Sequence, residues 1–143
     1  YTKEEVTTSF LGSFDSKAQV ANQKEDTIVV YKNSNNTEGI TATYDKETTN
    51  SIFNEEFLNK KDKYSYFLNG NNAKVVVQTK QTNGKKLLVV KDSYSHIMAQ
   101  FLCQNFEEIH FIDPRYYTDS IEEYAKENNI TDAMFLYNVA NII

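Results

Sequence analysis

The sequence predicts an α/β fold with a parallel sheet, preceded by a β-rich segment. Three observations carry this. Lys85–Arg115 reads strand, sharp turn, helix, strand, which makes a right-handed βαβ unit with parallel strands. A second helix and strand follow at Ser120–Asn128 and Ala133–Val139. Ahead of them stand several short runs rich in Val, Ile, Thr and Tyr, separated by Asn- and Gly-containing turns.

The elements follow in chain order. Tyr1–Lys24 is mixed, with Phe10-Leu11-Gly12-Ser13-Phe14 as a compact apolar knot around a glycine. Thr27–Tyr31 is a strand, Lys32–Gly39 a turn, and Ile40–Tyr44 an alternating strand expected to pair with Thr27–Tyr31 as a hairpin. Asn50 or Ser51 caps a helix over Ile52–Lys61, with Phe53 and Phe57 on one face. Asn69-Gly70-Asn71-Asn72 is a turn, because Gly and Asn tolerate positive φ. Lys74–Thr79 is a strand. Leu87–Val90 is an apolar run suited to a strand buried on both faces. Ile97, Phe101, Leu102 and Phe106 have helical spacing. Ile109–Ile112 is the second parallel strand. Ser120 caps the next helix, with Glu122 and Glu123 in its first turn and Asn128-Asn129 at its end. Ala133–Val139 is a further buried strand, so three parallel strands should lie side by side.

The chain of 143 residues reads as one domain, residues 1–143, large enough to bury a core. Hydrophobic content of 40% and charged content of 24% are those of a globular protein. The net charge of −5 and the lack of a basic stripe argue against a nucleic-acid partner. Cys103 is the single cysteine, so neither an internal disulfide nor a thiolate zinc cage can form, and its place in the apolar pattern reads as buried and inert. No run approaches the roughly 20 apolar residues of a membrane span. The chain opens at Tyr1 without a cleavable signal, and reads as a processed or cut piece of a longer protein.

Ligands of open α/β sheets bind beyond the carboxyl ends of the strands, which places Asp92, Ser93, Asp113 and Arg115 on one rim. Ser93 follows a buried strand on a tight turn, where its hydroxyl can project beside backbone N–H groups. Two readings are open: a nucleophile, or a helix cap supplied by Asp92 or Ser93. His96 lies on the same helical face but is poorly placed as a base, and reads as a partly exposed histidine without a role. His110 reads as structural. Asp92 and Asp113 end neighbouring strands and could hold Mg²⁺ or accept a phosphoryl group, or Asp113 forms a turn before Pro114. Arg115 either clamps an anion or pairs with Asp113. Gly70 and Asn71 either supply an oxyanion donor from a loop or only make a turn. No Gly-rich phosphate loop, HExxH or CxxC is present, and a serine site here lacks an obvious base.

The segments KKLLVVKDSYSHIMAQFL, EEIHFIDPRYY and ITDAMFLYNV, with the upstream KDKYSYFLNGNN and FLGSF, resemble the C-terminal part of the DHHW proteins. That family comprises surface-directed proteins of Gram-positive bacteria, is named for an Asp-His-His-Trp motif, and belongs with the SGNH-hydrolase-like group that includes alginate O-acetyltransferases. The resemblance implies a flavodoxin- or SGNH-like three-layer sandwich, here a partial domain. It implies that Ser93 is the nucleophilic serine, with the backbone N–H of Tyr94 and the side chain of Asn71 as oxyanion donors. The family's Gly-Gly-Asn-His-Pro stands here as Asn69-Gly70-Asn71-Asn72-Ala73, keeping Gly70 and Asn71. Its catalytic Asp and His come from an Asp-x-His stretch that this sequence lacks, so the isolated chain is expected to be inactive. The implied function is acyl-ester chemistry on cell-surface polysaccharide at the cell envelope or outside it. The implied partner is an acyl donor, a membrane acyltransferase among the candidates, with no cofactor. The alternative is a non-catalytic module that binds glycan or protein through its Tyr and Asn side chains.

Overall fold

A computed structural model describes residues 1–12, 24–45 and 47–138. Among the described residues, eight strands form two sheets. β1 (Thr2–Phe10) and β2 (Asp26–Lys32) make an antiparallel pair. The main sheet has β3 (Thr41–Tyr44), β4 (Glu47–Thr49), β5 (Lys74–Gln78), β6 (Lys86–Lys91), β7 (Glu108–Ile112) and β8 (Asp132–Leu136), in the order β4-β3-β5-β7-β6-β8. β7, β6 and β8 run parallel, with Val89 opposite Phe111 on one side and Met134 on the other. β4, β3 and β5 are antiparallel to their neighbours, so the sheet is mixed rather than parallel throughout.

The strand alternation sorts the core onto two faces. Leu87, Val89, Ile109 and Phe111 pack with Ala99, Leu102 and Cys103 on one face. Leu88, Val90 and Ile112 meet Ile121, Tyr124 and Ala125 on the other. The first face is covered by a 3₁₀ turn, η3 (Ser93–Met98), running into the helical turn α2 (Ala99–Leu102); an earlier helical turn, α1, is Ser34–Thr37. The second face is covered by α3 (Ile121–Glu127), which Ser120 caps by accepting the Glu123 N–H at 3.2 Å. Cys103 is buried with its thiol on the Ala99 carbonyl, and burial pushes the thiol up to about 12.

Several expectations are corrected. Thr27–Tyr31 does not pair with Ile40–Tyr44. β2 pairs with β1, a strand hidden in the sequence by its exposed Lys and Glu residues, while β3 pairs with β4 and β5. Two buried amides then join the small sheet to α2. Asn36 Nδ2 donates to the carbonyls of Tyr31 and Gln100, each at 2.8 Å, and Gln100 Oε1 accepts the Tyr31 N–H at 2.8 Å. The segment Ile52–Lys61 holds only a 3₁₀ turn, Glu55–Asn59, capped by Asn54 rather than Asn50 or Ser51. Aromatic packing fixes that stretch instead of helical hydrogen bonding: Phe53 stacks on Tyr66 with ring centroids 5.3 Å apart. β8 is the exposed edge strand, not a buried one, with Phe135 72% exposed. Ser13, Phe14 and Val139 lie outside the described residues.

Candidate active site

The last residue of β6, Lys91, and the next in the chain, Asp92, send their side chains to opposite faces. Asp92 is fully buried, in extended conformation, and caps η3: its Oδ1 accepts the Tyr94 N–H at 3.0 Å. Its Oδ2 accepts the Asn138 N–H at 2.7 Å, tying the end of β6 to the segment after β8. Ser95 Oγ donates to the Asp92 carbonyl at 2.8 Å. The cap is therefore Asp92, and the hydroxyl of Ser93 is left half-buried with no hydrogen-bond partner among the described residues. Tyr94 is exposed, and because its N–H already serves Asp92, an oxyanion there would have to share or displace that bond.

Lys91 points to the opposite face and is 1% exposed. Its Nζ lies 2.8 Å from His96 Nε2 and 3.7 Å from Asp113 Oδ2. Arg115 grips the same carboxylate through Nε at 2.9 Å and Nη2 at 2.6 Å, and adds its backbone N–H at 3.1 Å. Of the two readings of Arg115, pairing with Asp113 is the one observed. Burial lowers Lys91 to about 8, against the attraction of Asp113. Burial, then the Lys91 charge, lowers His96 to about 3. At neutral pH Lys91 is thus the charged donor and His96 the neutral acceptor at Nε2, which leaves the hydrogen on Nδ1. Nδ1 has no partner among the described residues. Tyr64 stacks on the imidazole at 5.9 Å and 13°, and its hydroxyl donates to the Tyr94 carbonyl at 3.2 Å.

His96 is therefore not the partly exposed residue expected. It is buried because η3 sets it against Lys91 and under the Tyr64 ring. His110 sits in β7 facing α3, with Nδ1 2.7 Å from Tyr124 Oη. Its Nε2 comes within 2.8 Å of Glu108 Oε1, out of line for a hydrogen bond. Neither imidazole faces open solvent at the rim. Asp92 and Asp113 leave their strands on different faces, and both carboxylates are engaged by donors, which weighs against a shared Mg²⁺. Among the described residues no group of three His, Cys, Asp or Glu is placed to hold a metal.

The loop at Gly70 and Asn71 reaches the same rim because β5 runs antiparallel to β7. The Asp113 N–H donates to the Ala73 carbonyl at 3.0 Å, and Lys74 lies opposite Ile112. Leu68, Asn69 and Gly70 have φ of 52°, 56° and 78°, and Asn72 Nδ2 holds the turn through the carbonyls of Leu68 at 3.1 Å and Gly70 at 3.2 Å. Asn71 is exposed. A Cβ on Gly70 would come within 2.6 Å of Ser65 Oγ and 3.1 Å of Ser65 Cβ, and that hydroxyl is held by Asp62. Gly70→Ala should therefore cost about 1–3 kcal/mol, read as a lower urea midpoint.

A serine-bearing turn at the carboxyl rim of a mixed α/β sheet, backed by a buried lysine–aspartate pair that the partly exposed Arg115 closes, defines the class of site. The chain matches the family of DHHW proteins over residues 1–112 and belongs to it. It is similar to a DHHW family protein of Eubacterium siraeum, 30% identical with a TM-score of 0.81, over 96% of this chain and 47% of that one. It is also similar in fold to Bacillus cereus PatB1 carrying a sulfonyl adduct, 20% identical with a TM-score of 0.72, over 99% of this chain and 48% of that one. A second PatB1 structure gives 22% identity and a TM-score of 0.68, over 98% of this chain and 48% of that one. The chain thus spans about half the length of these solved relatives. No curated protein matches it.

Proposed function

We propose that the chain is part of an extracytoplasmic SGNH-like enzyme of a Gram-positive bacterium that moves an acyl group between esters of cell-surface polysaccharide, with Ser93 as nucleophile. The single observation that carries the reading is the division of labour at the end of β6. Asp92 caps the turn, which leaves the Ser93 hydroxyl at the rim without a structural bond. The sulfonyl adduct on PatB1 adds support, because sulfonylation is a reaction of activated nucleophiles. In this reading the flavodoxin- or SGNH-like sandwich is completed by the rest of the full-length protein.

Ser93 Oγ attacks the donor's acyl carbon while its proton passes to a base. The tetrahedral oxyanion collapses as the donor's alcohol leaves with a proton. A sugar hydroxyl or water then attacks the acyl-serine, giving up its proton and restoring Ser93. The base comes from outside this chain, since His96 is bound to Lys91 and His110 faces α3. Asn71, exposed on the neighbouring loop, and the Tyr94 N–H are the oxyanion donors in this scheme, and Arg115 lines the acyl or sugar side.

The experiment is hydrolysis of p-nitrophenyl acetate by the full-length protein. Ser93→Ala should lower kcat/KM by roughly a thousandfold or more with the melting temperature unchanged. Equal rates would remove Ser93 from the mechanism. A second reading, a non-catalytic glycan-binding surface, is favoured by Tyr94 and Tyr116 at the same rim, 60% and 51% exposed. Glycan binding without any Ser93 labelling by a sulfonyl fluoride would select it.

A further inference from the structure

We infer that Lys91 is a positioning residue of the Ser93 site: its buried ammonium locks the turn that carries the serine to the end of β7 and holds a positive charge in the strand end that leads to it. The inference rests on the reading of Ser93 as nucleophile. It addresses what the cluster does, which that reading leaves open.

A lysine on a strand that is buried on both faces needs a reason to stay. Burial of an ammonium is costly unless it is paired, and an apolar side chain of like size would fill the space at least as well. Lys91 is paired twice, with His96 Nε2 at 2.8 Å and Asp113 Oδ2 at 3.7 Å. His96 is a residue of η3, the turn that begins with Ser93, so the first contact fixes that turn against the sheet. Asp113 needs no lysine for its own satisfaction, because Arg115 already binds both of its oxygens. Asp113 is therefore shared by two cations, and Lys91 is the one that also reaches η3, through His96.

Lys91 and Ser93 are two residues apart across an extended Asp92, a Cα separation of about 7 Å. η3 is too short to provide much of a dipole of its own. A fixed cation at that range favours negative charge developing on the serine oxygen or on the oxyanion formed from it. The groups that face Lys91 are Asp92 from its own strand end, His96 from η3, and Asp113 and Arg115 from the end of β7. Tyr64 lies behind His96, and Tyr137 lies near both carboxylates. Of these, His96 stays neutral and Asp113 stays ionised through neutral and alkaline pH. Lys91, lowered to about 8, is the cluster's own titration in that range.

The test is the rate of Ser93 labelling by phenylmethylsulfonyl fluoride in the full-length protein, from about pH 6 to about pH 10. Lys91→Met should lower the rate at neutral pH by roughly tenfold, with a melting temperature equal to or above that of the wild type. The ratio of wild-type to variant rate should shrink above pH 8, as the wild-type lysine loses its proton. Lys91→Arg keeps the charge at all these pH values, so wild-type labelling should fall relative to it over the same range; this comparison also serves if Lys91→Met does not fold. Ratios that stay constant with pH while labelling still depends on Ser93 would overturn the inference and leave Lys91 a packing residue. Labelling that persists in Ser93→Ala would overturn the nucleophile and this inference together.

Discussion

Asp113→Ala is expected to destabilise the protein by about 3–5 kcal/mol, measured by urea denaturation at neutral pH. Asp113 is fully buried and is the carboxylate on which Lys91 and Arg115 converge. Removing it does not affect the two cations equally. The Arg115 side chain is 39% exposed and can turn its guanidinium to water. Lys91 is 1% exposed and cannot. It keeps the neutral imidazole of His96 and the weaker pull of Asp92, and a buried ammonium stripped of its paired carboxylate either deprotonates or pulls the turn open. The double variant Asp113→Ala with Lys91→Met should recover most of the loss, because the buried charge leaves with its partner. If the single and double variants are equally unstable, the loss lies in the Asp113 N–H and turn contacts and not in the charge.

The same cluster shows what could be read from the chain beforehand and what could not. The order of the parallel part was legible because Leu87–Val90 and Ile109–Ile112 are short continuous apolar runs, and only buried strands need those. A cap at Asp92 or Ser93 and the N-cap at Ser120 were legible as local chemistry, and the structure gives the first to Asp92. The fate of Lys91 and His96 was not. A lysine after four apolar residues looks like the point where a strand meets water, and a histidine three residues past a turn looks like its surface. Their burial follows from the contact of η3 with Lys91 and with the Tyr64 ring, which is a tertiary event. A signal was present in principle: Lys91 and the histidine lie five apart, and Asp113 lies at the corresponding end of the neighbouring strand, so three polar residues had no apolar reason to be there. The hairpin failed for a different reason. The strand that pairs with β2 carries Lys3, Glu4 and Glu5, so its periodicity is hidden by an exposed face. The mixed sheet was likewise invisible, since nothing in Lys74–Gln78 distinguishes an antiparallel neighbour from a parallel one.

Acidification should destabilise the protein well above the range in which its carboxylates protonate, with His96 the main cause. Burial, reinforced by the Lys91 charge, lowers this imidazole from 6.5 to about 3. In the unfolded chain it titrates near its ordinary value, so between those two limits the unfolded state holds the extra proton. Stability is then fully present above about pH 6.5 and is lost as pH falls toward 3, at up to about 1.4 kcal/mol per pH unit, or about 4–5 kcal/mol in all. His110, also lowered by burial, acts in the same direction through a separate site. Asp113, held low by its Arg115 hydrogen bonds against the opposing effect of burial, gives up its contribution only below the ordinary carboxylate range. The window between is therefore that of the imidazoles. His96→Gln offers the Lys91 ammonium an acceptor that does not titrate. Its unfolding free energy should lie below that of the wild type at neutral pH, because the amide fills the stacked site under Tyr64 less well. The gap should close and then reverse as pH falls. A gap that stays constant from neutral pH to about pH 4 would mean that His96 accepts a proton inside the fold, and that the lysine beside it is neutral or elsewhere.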